Sequence, residues 1–271
     1  VNSQIASNDI TSKTVIVVVG DKFEGFAANP GVVTATQARQ LMQDSDMLPS
    51  GMVLVPGQGL CDEDIDSLME DAERTGATRR IDVRLRKLRP QLASASQSHK
   101  RLTENTIIST ARRTLEENTF ELDLLVDERC ELMGDHQTGQ HIQGMILIEA
   151  ARQAFLAVTE QFFIDHKSGR RYYFVINAMN TEYLGFVFPI PATLRYTILE
   201  QKITNPSRLG FRAYVDVIQA GQVCARTEVR FTAFEAEKIV AKENERAEGA
   251  LRWYAESFRT DAAESAGRLA A

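Results

Sequence analysis

The chain has 271 residues, of which 44% are hydrophobic and 25% charged, and its net charge is −6. That is the composition of a globular protein with one large domain or two ordinary ones. The acidic balance repels nucleic acid and anionic membranes on average, so neither is expected as a main partner, and no run of about 18 apolar residues is present to span a bilayer.

The N-terminal stretch VNSQIASNDITSK lacks a basic segment followed by an apolar core, so no secretion signal is expected. TVIVVV (14–19) is a β-branched run stopped by Gly20 and reads as a buried strand. Thr34 and Gln37 have the spacing of a capping box and open a helix through about Met42. GMVLVPGQG (51–59) is a second apolar run ended by Pro and Gly. Asp62 opens a helix whose Ile65, Leu68, Met69 and Ala72 share a face, with Gly76 at its end. RIDVRL (80–85) alternates as a third strand. Strand, helix, strand, helix, strand predicts a small α/β domain over residues 1–90. Its basic run from Arg79 to Arg89 suits either a solvated strand face or the acidic surface of a carrier protein.

No cofactor is expected. Gly57-Gln58-Gly59 fits many turns, and the segment Gly20 to Gly25 lacks the Gly-Lys-Ser/Thr of a phosphate-binding loop. Cys61, Cys130 and Cys224 are too widely spaced for a disulfide framework or a zinc site, which fits a reducing, cytoplasmic compartment.

Residues 91–104 are polar and aperiodic, and read as a linker. Phe120, Leu122, Leu124 and Val126 then alternate as a half-buried strand. RYYFVINAM (171–179) and ATLRYTILEQKI (192–203) are rich in aromatic and β-branched residues. Two long alternating runs, Phe211 to Val217 and Val223 to Ala233, flank the turn QAGQ (219–222) as a hairpin. A domain spanning 105–236 is thus an antiparallel sheet with one long apolar helix inserted early. Residues 237–271 form a charged helix, which Trp253 is expected to anchor to the body.

The inserted helix raises the functional question. Within GDHQTGQHIQGMILIEAARQAFLAV (134–158), the stretch from Gly144 to Phe163 makes a helix of about 30 Å that is apolar on nearly all sides. Glu149, Arg152 and Gln153 stand at i, i+3 and i+4 and form one narrow polar patch. The bland reading makes this patch the helix's solvent stripe. The functional reading makes it a site facing a ligand, because a buried carboxylate is costly and two of the four histidines, His136 and His141, lie in the loop just ahead. His99 and His166 lie in polar surroundings and are expected to be solvated.

These residues carry a resemblance. A buried helix wrapped by an antiparallel sheet resembles the hotdog fold. Asp135-His136, His141, Gly144-Met145 and Glu149-Ala150-Ala151-Arg152-Gln153 resemble the motif of the A-factor biosynthesis hotdog family, the AfsA-like proteins. The chain has Gln143 where that motif has Pro. More remotely, the segment is similar to hydroxyacyl-thioester dehydratases, whose His-bearing loop precedes a helix with a catalytic carboxylate. The resemblance implies an α+β hotdog domain behind the small α/β domain, acting on an acyl group, β-ketoacyl or hydroxyacyl, carried as a thioester of acyl carrier protein or coenzyme A. It implies Glu149 as general acid/base, Arg152 as orienter or oxyanion stabiliser, and His136 or His141 in proton transfer or carbonyl binding. Asp135, Gly144, Met145 and Gln153 would then line the substrate site. AfsA-like synthases carry two hotdog repeats and this chain shows one, so a homodimer is expected. Hydrolysis of the thioester and non-catalytic acyl binding stand as alternatives.

Overall fold

The computed structural model describes residues 14–43, 50–134 and 138–269. Strands β1 (Thr14–Val19), β2 (Val32–Thr34), β3 (Met52–Pro56) and β4 (Ile81–Val83) form a parallel sheet in the order β2-β1-β3-β4. The helices of this part are α1 (Glu24–Ala27), α2 (Ala35–Gln43), α3 (Asp62–Arg74) and α4 (Leu85–Leu88). The expected capping box is present, with Thr34 and Gln37 exchanging hydrogen bonds of 2.9 and 3.2 Å. Cys61 caps α3 through its thiol, which burial beside Asp64 pushes up to about 12.

Neighbouring positions on β1 serve different cores, as expected for a strand covered on both faces. Val18 packs with Met42, Leu54 and Leu68 under the helices, whereas Val19 and Phe23 join the core of the rest of the chain.

That second part is a six-stranded antiparallel sheet in the order β5-β6-β8-β9-β10-β7. Its strands are β5 (Arg112–Arg113), β6 (Thr119–Asp123), β7 (Tyr172–Tyr183), β8 (Thr193–Lys202), β9 (Arg208–Gln219) and β10 (Gln222–Glu235). Ala220 and Gly221, at φ 50° and 75°, make the two-residue turn of the predicted β9–β10 hairpin, the pairing of positive angles that suits the strand twist. The sheet curls around α6 (Gly144–Phe162), which buries Ile146, Leu147, Ala150, Ala154, Phe155 and Val158 against it. This is the hotdog arrangement. Among the described residues no helix is long and apolar enough to cross a membrane.

Residues 91–104, aperiodic in sequence, are packed onto the helix. They carry α5 (Ala95–Ser98), with Ala93 and Ser98 buried. Of the basic run, Arg84 pairs with Asp82, and Arg86 and Arg89 pair with Asp62, Arg89 with its side chain only 7% exposed. The last helix, α7 (Ala236–Leu269), corrects one expectation: Trp253 is 72% exposed beside exposed Tyr254 and Phe258, so it does not anchor the helix.

In open parallel sheets the crevice beyond the carboxyl ends of strands, where strand order reverses, is the usual ligand site. Here that crevice, between β1 and β3, is filled by the antiparallel part. Gln58 is buried there, donating to Leu124 O at 2.9 Å and accepting from Val126 N at 2.8 Å. Gly57 lies so close to Pro189 that a Cβ would sit 2.6 Å from its carbonyl oxygen, and Gly59 adopts φ 93° against Gly20. The Gly-Gln-Gly turn is a seam. Replacing Gln58 by Ala strands a buried amide and a buried carbonyl, so it should lower unfolding free energy by about 2–4 kcal/mol in urea titrations. A loss under about 0.5 kcal/mol would show that the seam does not hold the two parts together.

Candidate functional site

Glu149 sits one and a half turns into α6 with its side chain 15% exposed. Three donors converge on its carboxylate. Arg152 holds both oxygens, with Nε to Oε2 at 2.7 Å and Nη2 to Oε1 at 2.8 Å. Lys100 Nζ reaches Oε1 at 2.8 Å, and Gln153 Nε2 donates to the same oxygen at 2.9 Å. Burial pushes the carboxyl's pKa up, but the hydrogen bonds from Arg152, Lys100 and Gln153 outweigh it, and the net direction is down. Glu149 is therefore an anion at neutral pH, held between two cations. Cys130 is buried within range of both Lys100 and Glu149, and burial pushes its thiol up, so it is a neutral neighbour.

Lys100 escapes a reading of the sequence because it lies in the aperiodic stretch. Its placement comes from His99, a non-glycine residue at φ 56° that ends α5 and turns the chain. The turn sends His99 one way and Lys100 the other. His99 Nε2 meets Glu160 Oε1 at 2.8 Å and its ring stands edge-on to Phe174, so this histidine is paired where solvation was expected. His166, 65% exposed in its side chain, contacts the Glu160 carbonyl at 2.9 Å. Gln97 donates to Gln161 at 3.2 Å. The polar face of α6 thus runs on from Glu149 through Gln153 to Glu160, at i, i+4 and i+11. That spacing was open to view in the sequence.

Gln153 is wholly buried and fully engaged. Its amide donates to Asn105 O at 2.8 Å, and its carbonyl accepts from Ile107 N at 3.0 Å. Asn105 in turn bridges to Glu131, donating at 3.0 Å and accepting at 2.9 Å. The predicted patch therefore faces residues 99–107, which cover it and leave Glu149 and Arg152 (15% and 29% exposed) reaching the surface.

The loop ahead of the helix is placed by the parallel part. Phe26 N donates to Gly139 O at 2.9 Å, Gln140 Nε2 to Gly25 O at 2.6 Å, and Lys22 Nζ to Met133 O at 3.0 Å. His141 is half-buried with its ring 4.8 Å from that of Phe186. Gly144 is where the Tyr183 ring rests, close enough that a Cβ would lie 2.9 Å from its hydroxyl oxygen, and that hydroxyl donates to Gly144 O at 3.1 Å. Met145 is 55% exposed. Asp135 and His136 lie outside the described residues. Among the described residues no cluster of three metal-ligating side chains occurs.

Residues 78–235, more than half of the chain, match the family described as the A-factor biosynthesis hotdog domain. The chain belongs to this family. Its structure is also similar to those of several bacterial proteins. A phenylacetic acid degradation-related protein from Ralstonia eutropha is 14% identical over 45% of this chain and 82% of its own, with a TM-score of 0.35. A variant thioesterase from Pseudomonas aeruginosa is 13% identical over 46% and 81%, at 0.32. A conserved protein from the same organism is 15% identical over 52% and 100%, at 0.36. No curated protein matches this chain.

The lowered pKa of Glu149 has a signed consequence. A carboxylate whose folded pKa is depressed stabilises the protein above its unfolded value, about 4.3, and that stability is lost as pH falls through the folded value. Denaturant midpoints measured from pH 6 to pH 3 should therefore fall more steeply for the unaltered chain than for Glu149→Gln. Identical pH dependence would mean that the carboxylate is not held as described.

Proposed function

We propose that this protein is an enzyme acting on the acyl group of a thioester carried by acyl carrier protein or coenzyme A, in the biosynthesis of a small signalling molecule or secondary metabolite. The observation that carries the reading is the Glu149 carboxylate, half-buried on the central helix of an A-factor-type hotdog domain and flanked by Lys100 and Arg152. One anion between two cations leaves a local excess of positive charge. Such an arrangement stabilises the negative oxygen that develops when a thioester carbonyl is attacked or enolised.

The ionised state of Glu149 selects among the chemistries. Dehydration requires a proton donor to the departing hydroxyl, and an anion with three donors on it is not one. A base that takes a proton from the carbon beside the carbonyl fits condensation of a β-ketoacyl thioester with a second substrate. A base that takes a proton from water fits hydrolysis. We assign Glu149 as that base, Arg152 and Lys100 as stabilisers of the oxyanion, and His141, beside exposed Phe186, as a proton carrier at the helix end. Condensation is the leading reading because the family match extends through the whole motif from His141 to Gln153. Hydrolysis is the second, compatible with the same ionised carboxylate.

We further infer that two copies associate through β7. It is a twelve-residue strand that among the described residues pairs with β10 alone; exposed Tyr183, Leu184, Phe186 and Phe188 lie at or beyond its end, and exposed Met145 follows Gly144, on which the Tyr183 ring rests. A free edge beside an apolar patch invites a partner. On this reading residues 1–90 are a structural module for the histidine loop.

Incubation with β-ketoacyl, 3-hydroxyacyl and saturated acyl carrier thioesters, with and without dihydroxyacetone phosphate, distinguishes condensation, water loss and thiol release. Glu149→Gln should lower turnover by at least about 100-fold, the lower range for losing a positioned base, with its circular dichroism spectrum unchanged. Unaltered turnover in that variant would remove the assignment. An acyl chain that co-purifies while no thioester reacts would replace catalysis with binding.

A further inference from the structure

The outer face of the antiparallel sheet, opposite α6, carries a cavity of about 560 Å³ lined by residues of β7, β8, β9 and β10. Strand register explains the hollow. Lys202, Gly210 and Thr232 stand side by side on β8, β9 and β10, so the middle position of that row has no side chain. In the adjoining row Glu200, Arg212 and Arg230 stand side by side, and on the other side Arg208 faces Phe234. Two irregularities of register flank the hollow, one between Ile198 and Glu200 and one between Arg230 and Phe231, the second leaving Asn177 as the extra residue on β7. Bulges of this kind re-aim side chains and recur beside functional sites.

The charges around the hollow do not cancel. Arg212 is neutralised by Glu228 at 2.7 Å and Glu200 at 3.0 Å. Among the described residues Lys202, Arg208 and Arg230 have no ion pair, and Arg208 rests over the Phe234 ring at 5.5 Å. Arg212 and Arg230 stand directly opposite each other across β9 and β10, an arrangement of like charges that destabilises a sheet pair. The chain as a whole carries −6, yet here the four cations Lys202, Arg208, Arg212 and Arg230 outnumber the carboxylates of Glu200 and Glu228 by two. Asn177, whose Oδ1 accepts from Thr232 Oγ1 at 3.0 Å, has an amide nitrogen left to donate, and Asn205 adds another amide at the rim.

We propose that this cavity is a binding site for a nucleoside phosphate. Its volume falls in the range of sites for drug-sized ligands, about 300–1,000 Å³, and is larger than inorganic phosphate needs. The cations take the phosphate oxygens, with arginine suited to bidentate contact. Arg208, lying over the Phe234 ring, presents a flat guanidinium face on which the base stacks, while Lys202 and Arg230 face the phosphate. The site lies on the face of the sheet away from Glu149 and does not depend on the chemistry assigned to that residue.

Isothermal titration of the full chain with adenosine diphosphate, inorganic phosphate and adenosine tests this. The diphosphate should bind saturably and the nucleoside at least about tenfold more weakly, with affinity falling as salt is raised from 50 to 500 mM, because exposed charges are screened. Arg230→Glu and Lys202→Glu, both on exposed side chains, should each weaken the diphosphate by about tenfold or more, whereas Glu149→Gln should leave it unchanged. Arg230→Gln, which removes charge without reversing it, should give a smaller loss in the same direction. Absence of saturable binding by either phosphate compound would overturn the proposal. So would binding that ignores all three cavity variants, or binding equal for nucleoside and nucleotide. If Arg230→Glu instead dissociates a dimer of a chain that binds no phosphate, the face is a contact between copies and the proposal fails.

Discussion

One ion sets the terms for the rest of the structure. A carboxylate only 15% exposed on an otherwise apolar helix costs several kcal/mol unless it is paired and hydrogen-bonded. Arg152 and Gln153 supply part of that compensation from the same helix, at i+3 and i+4. The rest has to come from another segment, and Lys100 brings it. The stretch 94–107 therefore has two tasks that a hydrophobic strand could not combine. It covers one face of α6, and it offers polar groups at the heights of Glu149, Gln153, Glu160 and Gln161. The left-handed turn at His99 is what lets adjacent residues serve two acids three helical turns apart.

The parallel part owes its attachment to a similar exchange. Its switch-point crevice, where backbone groups at strand ends lack partners, is satisfied by the backbone of residues 124–128 and 189–190 through Gln58 and the two glycines beside it. The turn after β1, from Gly20 to Phe26, grips Glu128 and Met133 ahead of the histidine loop and Gly139 and Gln140 within it. A fold element that often holds a ligand has become the platform for the other part's loop.

Periodicity made the elements legible. The alternation of Val223 to Ala233, the capping pair Thr34 and Gln37, and the apolar run after Gly144 each state a local preference that tertiary packing did not override, and their observed bounds follow closely. The polar triad on α6 was legible for the same reason, since i, i+3, i+4 spacing fixes a shared face. What the triad faces was not legible. Lys100 and Asn105 reach the helix through a turn and backbone bonds that leave no periodic trace, and Gln58 looks like a residue of any glycine turn. The outer cavity was equally hidden, because it depends on which residues of three strands stand in register, and Lys202 and Thr232 flank Gly210 only once pairing is known. Trp253 misleads in the opposite sense: a large aromatic residue implies burial by frequency, yet nothing in a helix of alternating charge obliges it to turn inward.

The electrostatics of the helix also limit what the base proposed for this site could do. Donors that hold an acid ionised lower its basicity by the same free energy, so Glu149 is a modest base in the resting protein. It gains strength only if a substrate draws some of those donors away. Arg152 and Lys100 are the groups able to move, because their side chains are 29% and 25% exposed, whereas Gln153 is wholly buried and bound at three points. On the proposed reading, a carbonyl oxygen that develops negative charge would compete for the two cations, and each hydrogen bond it won would be one withdrawn from the carboxylate. Under that proposal, stabilisation of the oxyanion and activation of the base would be the same event, with Gln153 keeping the carboxylate in place while it occurred.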